Sequence, residues 1–445
     1  MQWTKPGDLD YDERRALFNA MVDKRPRLIA ACENPGDVAQ ALERARADHL
    51  DVAVRAGGHS VAGMSTNDDG LVVDVRPMRS IDVDPRTRRA HVGAGATWRE
   101  LDAATQEHGL ATTGGRVSST GVAGFTLGGG SGWLERSYGL ACDNLAGVDM
   151  VTADGREVHV DEEHHPELLW AMRGGGGNFG VVTALDLDLH RVGPTVQAGL
   201  LAWPTTAAPE VARAYRDWAQ DAPEELGSWL IMLTAPDEDW VPRELVGESI
   251  SAVAMVWAGH PDDGADYVAA LRALQPPLDL VEPMPYTEFQ CILDDPPGNR
   301  HYWSADYHDR VTDDMLDVVV ASATRTASEL TQQILLPWGG QVARVPASRS
   351  PLAQRSARWV THPFAVWEDP ADDEANIAWV RRFRQDVAPY TTGGVYLNFI
   401  GAEGQDRVRD AFGPENHARL VEVKTAWDPD NVFRGNQNIS PLVTA

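Results

Sequence analysis

Lysine, cysteine and long apolar runs are all scarce in this chain of 445 residues. The lysines are Lys5, Lys24 and Lys424; every other fixed cation is an arginine, and no basic cluster occurs. With a net charge of −27, the chain lacks the Lys/Arg patch that nucleic acid or an anionic membrane surface attracts. Neither partner is expected. Cysteine occurs only at positions 32, 142 and 291. So few and so widely spaced, they form neither a disulfide framework nor a zinc site, and they suit a reducing compartment. No apolar run approaches the roughly 18 residues of a membrane-spanning helix. The first residues lack the basic-then-apolar order of a signal peptide, so a cytoplasmic location is expected. His301 and His308, with Asp306 between them, suit no standard metal geometry, and no metal is expected.

A length of 445 residues exceeds one ordinary core and suits two domains. Residues 36–50 place Val38, Ala41, Leu42 and Ala45 at helical spacing. Short apolar runs at 52–54 and 70–75 read as strands. Residues 81–84 and 90–92 flank Pro85-Arg86-Thr87 as a hairpin, and 148–152 with 158–160 flank Asp154-Gly155 as a second. Thr97 and Glu100 have capping-box spacing, with a helix to about residue 108. Residues 166–172 read as helix, and Leu185, Leu187 and Leu189 alternate as in a half-buried strand. Beyond about residue 196 tryptophan and proline become frequent, and 312–330 reads as a long helix. No internal repeat is present.

Glycine carries the chemistry. Arg55-Ala56-Gly57-Gly58-His59-Ser60-Val61-Ala62-Gly63 follows a strand, and its glycines allow a sharp turn whose successive N–H groups cradle an anion. Residues 175–180, Gly-Gly-Gly-Asn-Phe-Gly, formally satisfy G-x-G-x-x-G. They follow a helix and open a strand, the reverse of a dinucleotide-binding turn, so classical NAD binding is excluded. No phosphate-binding P-loop motif occurs either.

The 55–63 segment resembles the diphosphate loop of flavin-linked oxidases of the vanillyl-alcohol oxidase superfamily, with its PCMH-type FAD-binding domain, and most of all the berberine-bridge-enzyme-like branch. Three further segments are similar in the family's order: Ser119-Thr120-Gly121-Val122-Ala123-Gly124 through Gly128 and Gly132 to Asn144; Leu169 through Gly180 to Val182; and Asp428-Pro429-Asp430-Asn431 through Asn436 and Asn438. The resemblance implies an α+β fold. A bipartite FAD-binding domain (1–195, completed by a C-terminal segment 395–445 returning to it) would flank an antiparallel-sheet substrate domain (196–394). It implies FAD held by Arg55, Gly57, Gly58, His59, Ser60 and Gly63. Ser119, Thr120, Gly121, Gly124, Gly128 and Gly132 would join them, with Gly180, Val182, Asn436 and Asn438. In the family the histidine at the position of His59 is bonded to the flavin 8α carbon. A second bond, from cysteine in many members, is not expected, because Val117 stands there. Thr120 occupies the position that gates dioxygen in relatives, and Ser131 replaces a frequent tyrosine.

Residues 394–399 resemble the family's Y-x-N strand, whose alternation would put Tyr396 and Asn398 on one face. Tyr396 is the expected base, Asn398 its neighbour, and Tyr138 and Tyr302 weaker candidates. A phenol near its usual pKa of about 10 would need its neighbours to lower it. Residues 358–367 read as a strand crossing the substrate pocket. Trp338, Gln341, Trp359 and His362 are expected to contact substrate. The expected function is oxidation of a hydroxyl group of a saccharide or secondary-metabolite alcohol, with electrons passing to dioxygen and hydrogen peroxide released. A dehydrogenase using another acceptor, or a flavin- or glycan-binding protein without catalysis, are the alternatives.

Overall fold

The computed structural model describes residues 1–401 and 403–442, and the architecture is α+β. The first sheet is small: parallel strands Leu28–Ala31, Leu71–Asp74 and Val52–Arg55, with Gln2–Thr4 antiparallel on one edge. Helix Pro35–Ala47 connects two of them. It starts where Asn34 Oδ1 accepts Asp37 N–H at 3.0 Å, with Pro35 in the first turn, and it buries Val38, Ala41, Leu42 and Ala45 as their spacing requires.

The second sheet has five antiparallel strands in the order Ile81–Asp84, Arg89–Gly93, Val181–Asp188, Leu145–Val151, Glu157–Asp161. Both predicted hairpins lie in it. Helix Trp98–Gln106 begins with the expected capping box, Glu100 Oε2 accepting Thr97 N–H at 2.9 Å. The glycine run at 174–180 joins helix Pro166–Met172 to strand Val181–Asp188.

The third sheet has nine strands. Its main path runs Leu278–Asp279, Thr195–Pro204, Ser249–Trp257, Leu226–Thr234, Gln332–Pro337, Trp359–Trp367, Arg300–Trp303, every pairing antiparallel. Alternation divides it. Leu230, Met232, Val253, Leu335 and Trp359 face helices Ala208–Gln220 and Asp313–Ala323. Trp229, Ile231, Ala254, Ile334 and Val360 face the glycine-rich unit and join its core. One face therefore makes a private core and the other makes the floor of an inter-unit cleft.

Two elements differ from expectation. The helix predicted over 312–330 stops at Ala323, where Thr324 Oγ1 turns back to donate to Ala321 O at 3.0 Å, a side-chain competition that ends helices. Residues 394–399 form no strand: Tyr396 precedes a 3₁₀ turn, Leu397–Phe399.

The C-terminal segment packs on the glycine-rich unit. Helix Gln405–Trp427 breaks at Gly413-Pro414 and ends on buried Lys424. The Lys424 ammonium donates to Asp428 Oδ2 at 2.7 Å, Asn178 O at 2.8 Å and Phe433 O at 3.0 Å. All three of its protons are used, which makes a buried ammonium tolerable. Asn178 Oδ1 in turn accepts Ile439 N–H at 2.9 Å, tying the tail to the 174–180 loop.

Candidate flavin and substrate cleft

A cleft with a cavity volume of about 340 Å³ runs between the glycine-rich unit and the nine-stranded sheet. One side is backbone. Gly57 and Gly121 pack so tightly that a Cβ on Gly57 would lie 2.2 Å from Gly121 N, and one on Gly121 would lie 2.4 Å from Gly57 N. Both positions therefore exclude any side chain. Among the described residues, the N–H groups of Gly58, His59, Ser60 and Val61 donate to no protein acceptor, leaving an anion-binding run. Gly124 and Gly177 line the cleft with open space where a Cβ would stand. Asn436, on the cleft, has its Oδ1 buried without a partner among the described residues. Unpaired N–H groups, a side-chain-free floor and an orphaned amide oxygen fit a diphosphate joined to a flat ring system. The residues present suit FAD.

His59 projects from the turn. Its Nε2 lies 3.1 Å from Ser119 Oγ and its Nδ1 lies 3.4 Å from Thr120 Oγ1. The ring stacks on Phe18 at 4.1 Å, and Phe18 stacks on His301 at 4.6 Å. Burial pulls the His59 pKa down to about 4, so the imidazole is neutral and nucleophilic at neutral pH.

At the sheet side, His362 and Phe364 line the cleft from strand Trp359–Trp367. His362 Nδ1 donates to Ser304 O at 2.8 Å, which fixes the neutral tautomer and leaves Nε2 as an acceptor. Burial holds its pKa near 4. Its ring stacks on Phe399 at 4.2 Å. Trp229, Trp303, Gln332 and Asn398 complete this end. Arg116 also lines the cleft, its guanidinium 3.7 Å from the Trp229 ring centroid. It stays cationic, although burial draws its pKa down to about 10.

The structure brings most of the sequence-predicted residues together. Gly57, Gly58, His59, Ser60, Thr120 and Gly121 line the cleft, as do Gly124, Gly128, Gly180, Val182, Asn436 and Asn398. Ser119 sits one layer back, on His59. Several others are corrected. Arg55 faces away, giving its guanidinium to Ala16 O at 2.6 Å and to Arg14 O. Gly63 turns at φ +68° where a Cβ would strike Val22, and Gly132 packs on Gly114 O. Asn438 is tied to Ser440 Oγ at 3.3 Å.

Tyr396 is the main correction. It is buried beneath the glycine segment, and its hydroxyl oxygen accepts Gly130 N–H at 2.5 Å and Ser131 N–H at 2.8 Å. It does not line the cleft, and burial pushes its pKa up rather than down. It anchors backbone and is not placed as a base. Tyr138 stacks on His190 at 4.0 Å, outside the cleft, and Tyr302 lies beyond its lining too. Trp359 is on the opposite face of its strand from His362, packed near Tyr215, because one residue of register flips a side chain across the sheet. Trp338 packs behind Tyr396 at 5.7 Å. Gln341 opens a short helix and accepts from Arg344.

No sequence signal marked Arg116, Trp229, Trp303, Gln332 or Asp295, all of which line the cleft. Phe364 was reachable, two residues from His362 on a recognised strand. Among the described residues all cysteines are free. Cys142 is buried and off the cleft, whereas Val117 lines it. No helix among the described residues is long and apolar enough to cross a membrane.

A glycine-cradled cleft between a mixed α+β unit and a large antiparallel sheet defines a flavin-linked oxidoreductase. Residues 26–161 match the family description "FAD binding domain" and residues 395–440 match "Berberine and berberine like". The (R)-6-hydroxynicotine oxidase of Paenarthrobacter nicotinovorans is 31% identical, with 98% of this chain and 96% of that protein aligned. An uncharacterised FAD-linked oxidoreductase of Bacillus subtilis is 30% identical over 98% of this chain and 97% of its own length. The crystal structure of 6-hydroxy-D-nicotine oxidase from Arthrobacter nicotinovorans superimposes with a TM-score of 0.87 at 26% identity, covering 99% of this chain and 98% of that one. The chain belongs to the berberine-bridge-enzyme-like family and is an FAD-dependent oxidoreductase.

Proposed function

We propose that this enzyme oxidises a hydroxyl group of a small-molecule alcohol, with FAD bonded covalently through His59 and dioxygen as final acceptor, releasing hydrogen peroxide. When bound, FAD supplies the redox chemistry by accepting hydride from the carbinol carbon at N5. The protein supplies position and a proton acceptor. The N–H groups of residues 58–61 and the floor at Gly57, Gly121 and Gly124 would hold the cofactor. Ser119 orients the His59 ring.

The observation that carries the reading is His362. A neutral imidazole, its Nδ1 committed to Ser304 O and its Nε2 unoccupied, stands in the same cleft as the cradle. It accepts the hydroxyl proton as the C–H bond is broken, the role expected of Tyr396 from sequence. Asn398, also on the cleft, donates to Phe125 O at 3.0 Å, which fixes its side chain beside the substrate end. Trp229, Trp303, Phe364 and Phe399 form an aromatic wall that favours a planar secondary-metabolite alcohol over a saccharide, whose many hydroxyls would lack partners there. The bacterial relative named as an oxidase supports catalysis over binding alone.

A screen of aromatic and saccharide alcohols, followed by peroxide release and by anaerobic bleaching of the flavin, tests this. Bleaching by an aromatic alcohol with peroxide on re-aeration is expected. Failure of every alcohol to bleach the flavin would contradict it.

A further inference from the structure

Two titratable side chains near His59 have no part in holding the cofactor or in the chemistry at His362. Asp295 lines the cleft. Among the described residues its Oδ1 takes one long contact, 3.4 Å from Asn299 Nδ2, and its Oδ2 is buried with no hydrogen-bond partner. His301 is fully buried, and among the described residues neither ring nitrogen has a hydrogen-bond partner. Nδ1 of His301 lies 3.8 Å from Asp295 Oδ2. Phe18 is sandwiched between the His301 and His59 rings, so the pair stands one stacked ring from His59; the other side of the His301 ring meets Trp303 at 5.5 Å. The next residue, Asp294, is fully employed: it holds Ser118 N–H at 2.6 Å, Ser118 Oγ at 2.7 Å and Arg99. Asp295 is the free carboxylate of the two.

A buried carboxylate oxygen with no donor is destabilising and calls for an explanation. Nothing in the fold needs one here. What this end of the cleft does need, on the covalent reading proposed above, is a base. Joining the imidazole of His59 to the 8α-methyl carbon of a flavin requires that a C–H proton leave that carbon.

We propose that Asp295, seated against His301, is the base that takes this proton when His59 is bonded to FAD. In the balanced step the 8α C–H bond breaks and its proton goes to Asp295. The electron pair of that bond passes into the ring system, and the Nδ1 lone pair of His59 forms the new C–N bond. The Nε2 proton of His59 leaves by way of Ser119 Oγ, 3.1 Å away. The attached cofactor ends two-electron reduced, and dioxygen takes those electrons as hydrogen peroxide. His59 is suited to its part because burial keeps it unprotonated above about pH 4. Burial raises the Asp295 carboxyl to about 6, which makes its carboxylate a stronger base than an exposed aspartate while leaving it ionised at neutral pH. The titratable group against it is His301, itself held neutral by burial, with His59 beyond Phe18 and Asp294 next in sequence.

The proposal rests on the covalent reading, and the test separates the two. Full-length chain produced in riboflavin-starved cells is mixed with FAD. Total binding is read from flavin absorbance and attachment from the acid-stable mass gain, from pH 5 to 8. Wild type is expected to attach FAD with a rate that rises through about pH 6 and levels off above it. Asp295→Asn is expected to bind FAD equally but attach it about 100-fold more slowly, the lower end of general-base effects, without that rise. Asp295→Glu should recover much of the rate. An Asp295→Asn protein that binds FAD and attaches it at the wild-type rate would overturn the role of Asp295 and leave the covalent reading intact. A wild type that binds FAD but never gains acid-stable mass would overturn both.

Discussion

The hydroxyl oxygen of Tyr396 accepts the backbone N–H of Ser131 at 2.8 Å. With Gly130 N–H on the same oxygen, it fixes the glycine segment that forms one wall of the flavin cleft. A Cβ on Gly129 would meet the Tyr396 ring at 2.9 Å, so the tyrosine and the glycines are shaped to each other. Tyr396→Phe therefore strands two buried N–H groups, at a cost of about 1–3 kcal/mol each. We expect a lower melting temperature and weaker retention of non-covalent FAD. The rate of flavin reduction per bound flavin should fall less than about 10-fold, below the range of lost base catalysis. A stable variant with a 10³-fold slower reduction would return the base role to Tyr396.

His362 carries that role in the present account. His362→Ala should slow flavin reduction by about 10²-fold or more while FAD binding is kept. The pH profile of wild type gives a second check. Burial lowers the His362 pKa to about 4, so its base form is complete above pH 6, and reduction should be flat from pH 6 to 9. A reduction rate that climbs through pH 9 to 10, as a phenol would give, contradicts this.

Asp102 makes stability depend on pH. It is buried in helix Trp98–Gln106 and accepts Gln290 Nε2–H at 2.9 Å. Burial raises its carboxyl from 3.8 to about 7. A raised carboxyl pKa adds stability that is complete below about pH 4 and is lost as pH rises to about 7, on the order of 4 kcal/mol. Asp295, raised to about 6, acts with the same sign. Unfolding midpoints in urea should fall between pH 4.5 and 7, and Asp102→Asn should flatten that fall. An unchanged slope in the variant would remove Asp102 as its source.

Thr120 lines the cleft beside His59, Oγ1 3.4 Å from Nδ1. Leucine there adds bulk next to the flavin. In stopped-flow experiments Thr120→Leu should slow reoxidation by dioxygen about 10-fold or more while sparing reduction, a barrier change of about 1.4 kcal/mol. Equal reoxidation rates would take Thr120 out of the oxygen path. A wild type that reoxidises only over minutes would identify a dehydrogenase.

Much of the first unit was legible in sequence because its signals are local. The spacing of Val38, Ala41, Leu42 and Ala45, the Thr97–Glu100 box and the Asp154-Gly155 turn each fix an element within a few residues. The glycines at 57, 121, 124 and 128 also stood out, since each is read from its own neighbours. Apart from His362, the far wall of the cleft was not legible. Trp229, Gln332 and Phe364 meet only because three antiparallel strands distant in sequence align, and nothing in any one strand marks which residues face the ligand. Trp359 and His362 illustrate this: both lie on a recognised strand, but three positions apart they fall on opposite faces. Tyr396 was misassigned for a different reason. A Y-x-N pattern alternates only in a strand, and here the backbone turns into a 3₁₀ turn to deliver the hydroxyl to Gly130 and Ser131.

Attachment of the flavin to His59 is read out by a peptide map of acid-precipitated protein. Yellow colour is expected to stay with the precipitate, and one flavin-bearing peptide, containing His59, is expected to be recovered. His59→Ala should release all its FAD into the acid. Flavin freed from wild type by acid, or found on a peptide containing Cys142 or Cys291, would rule out attachment through His59.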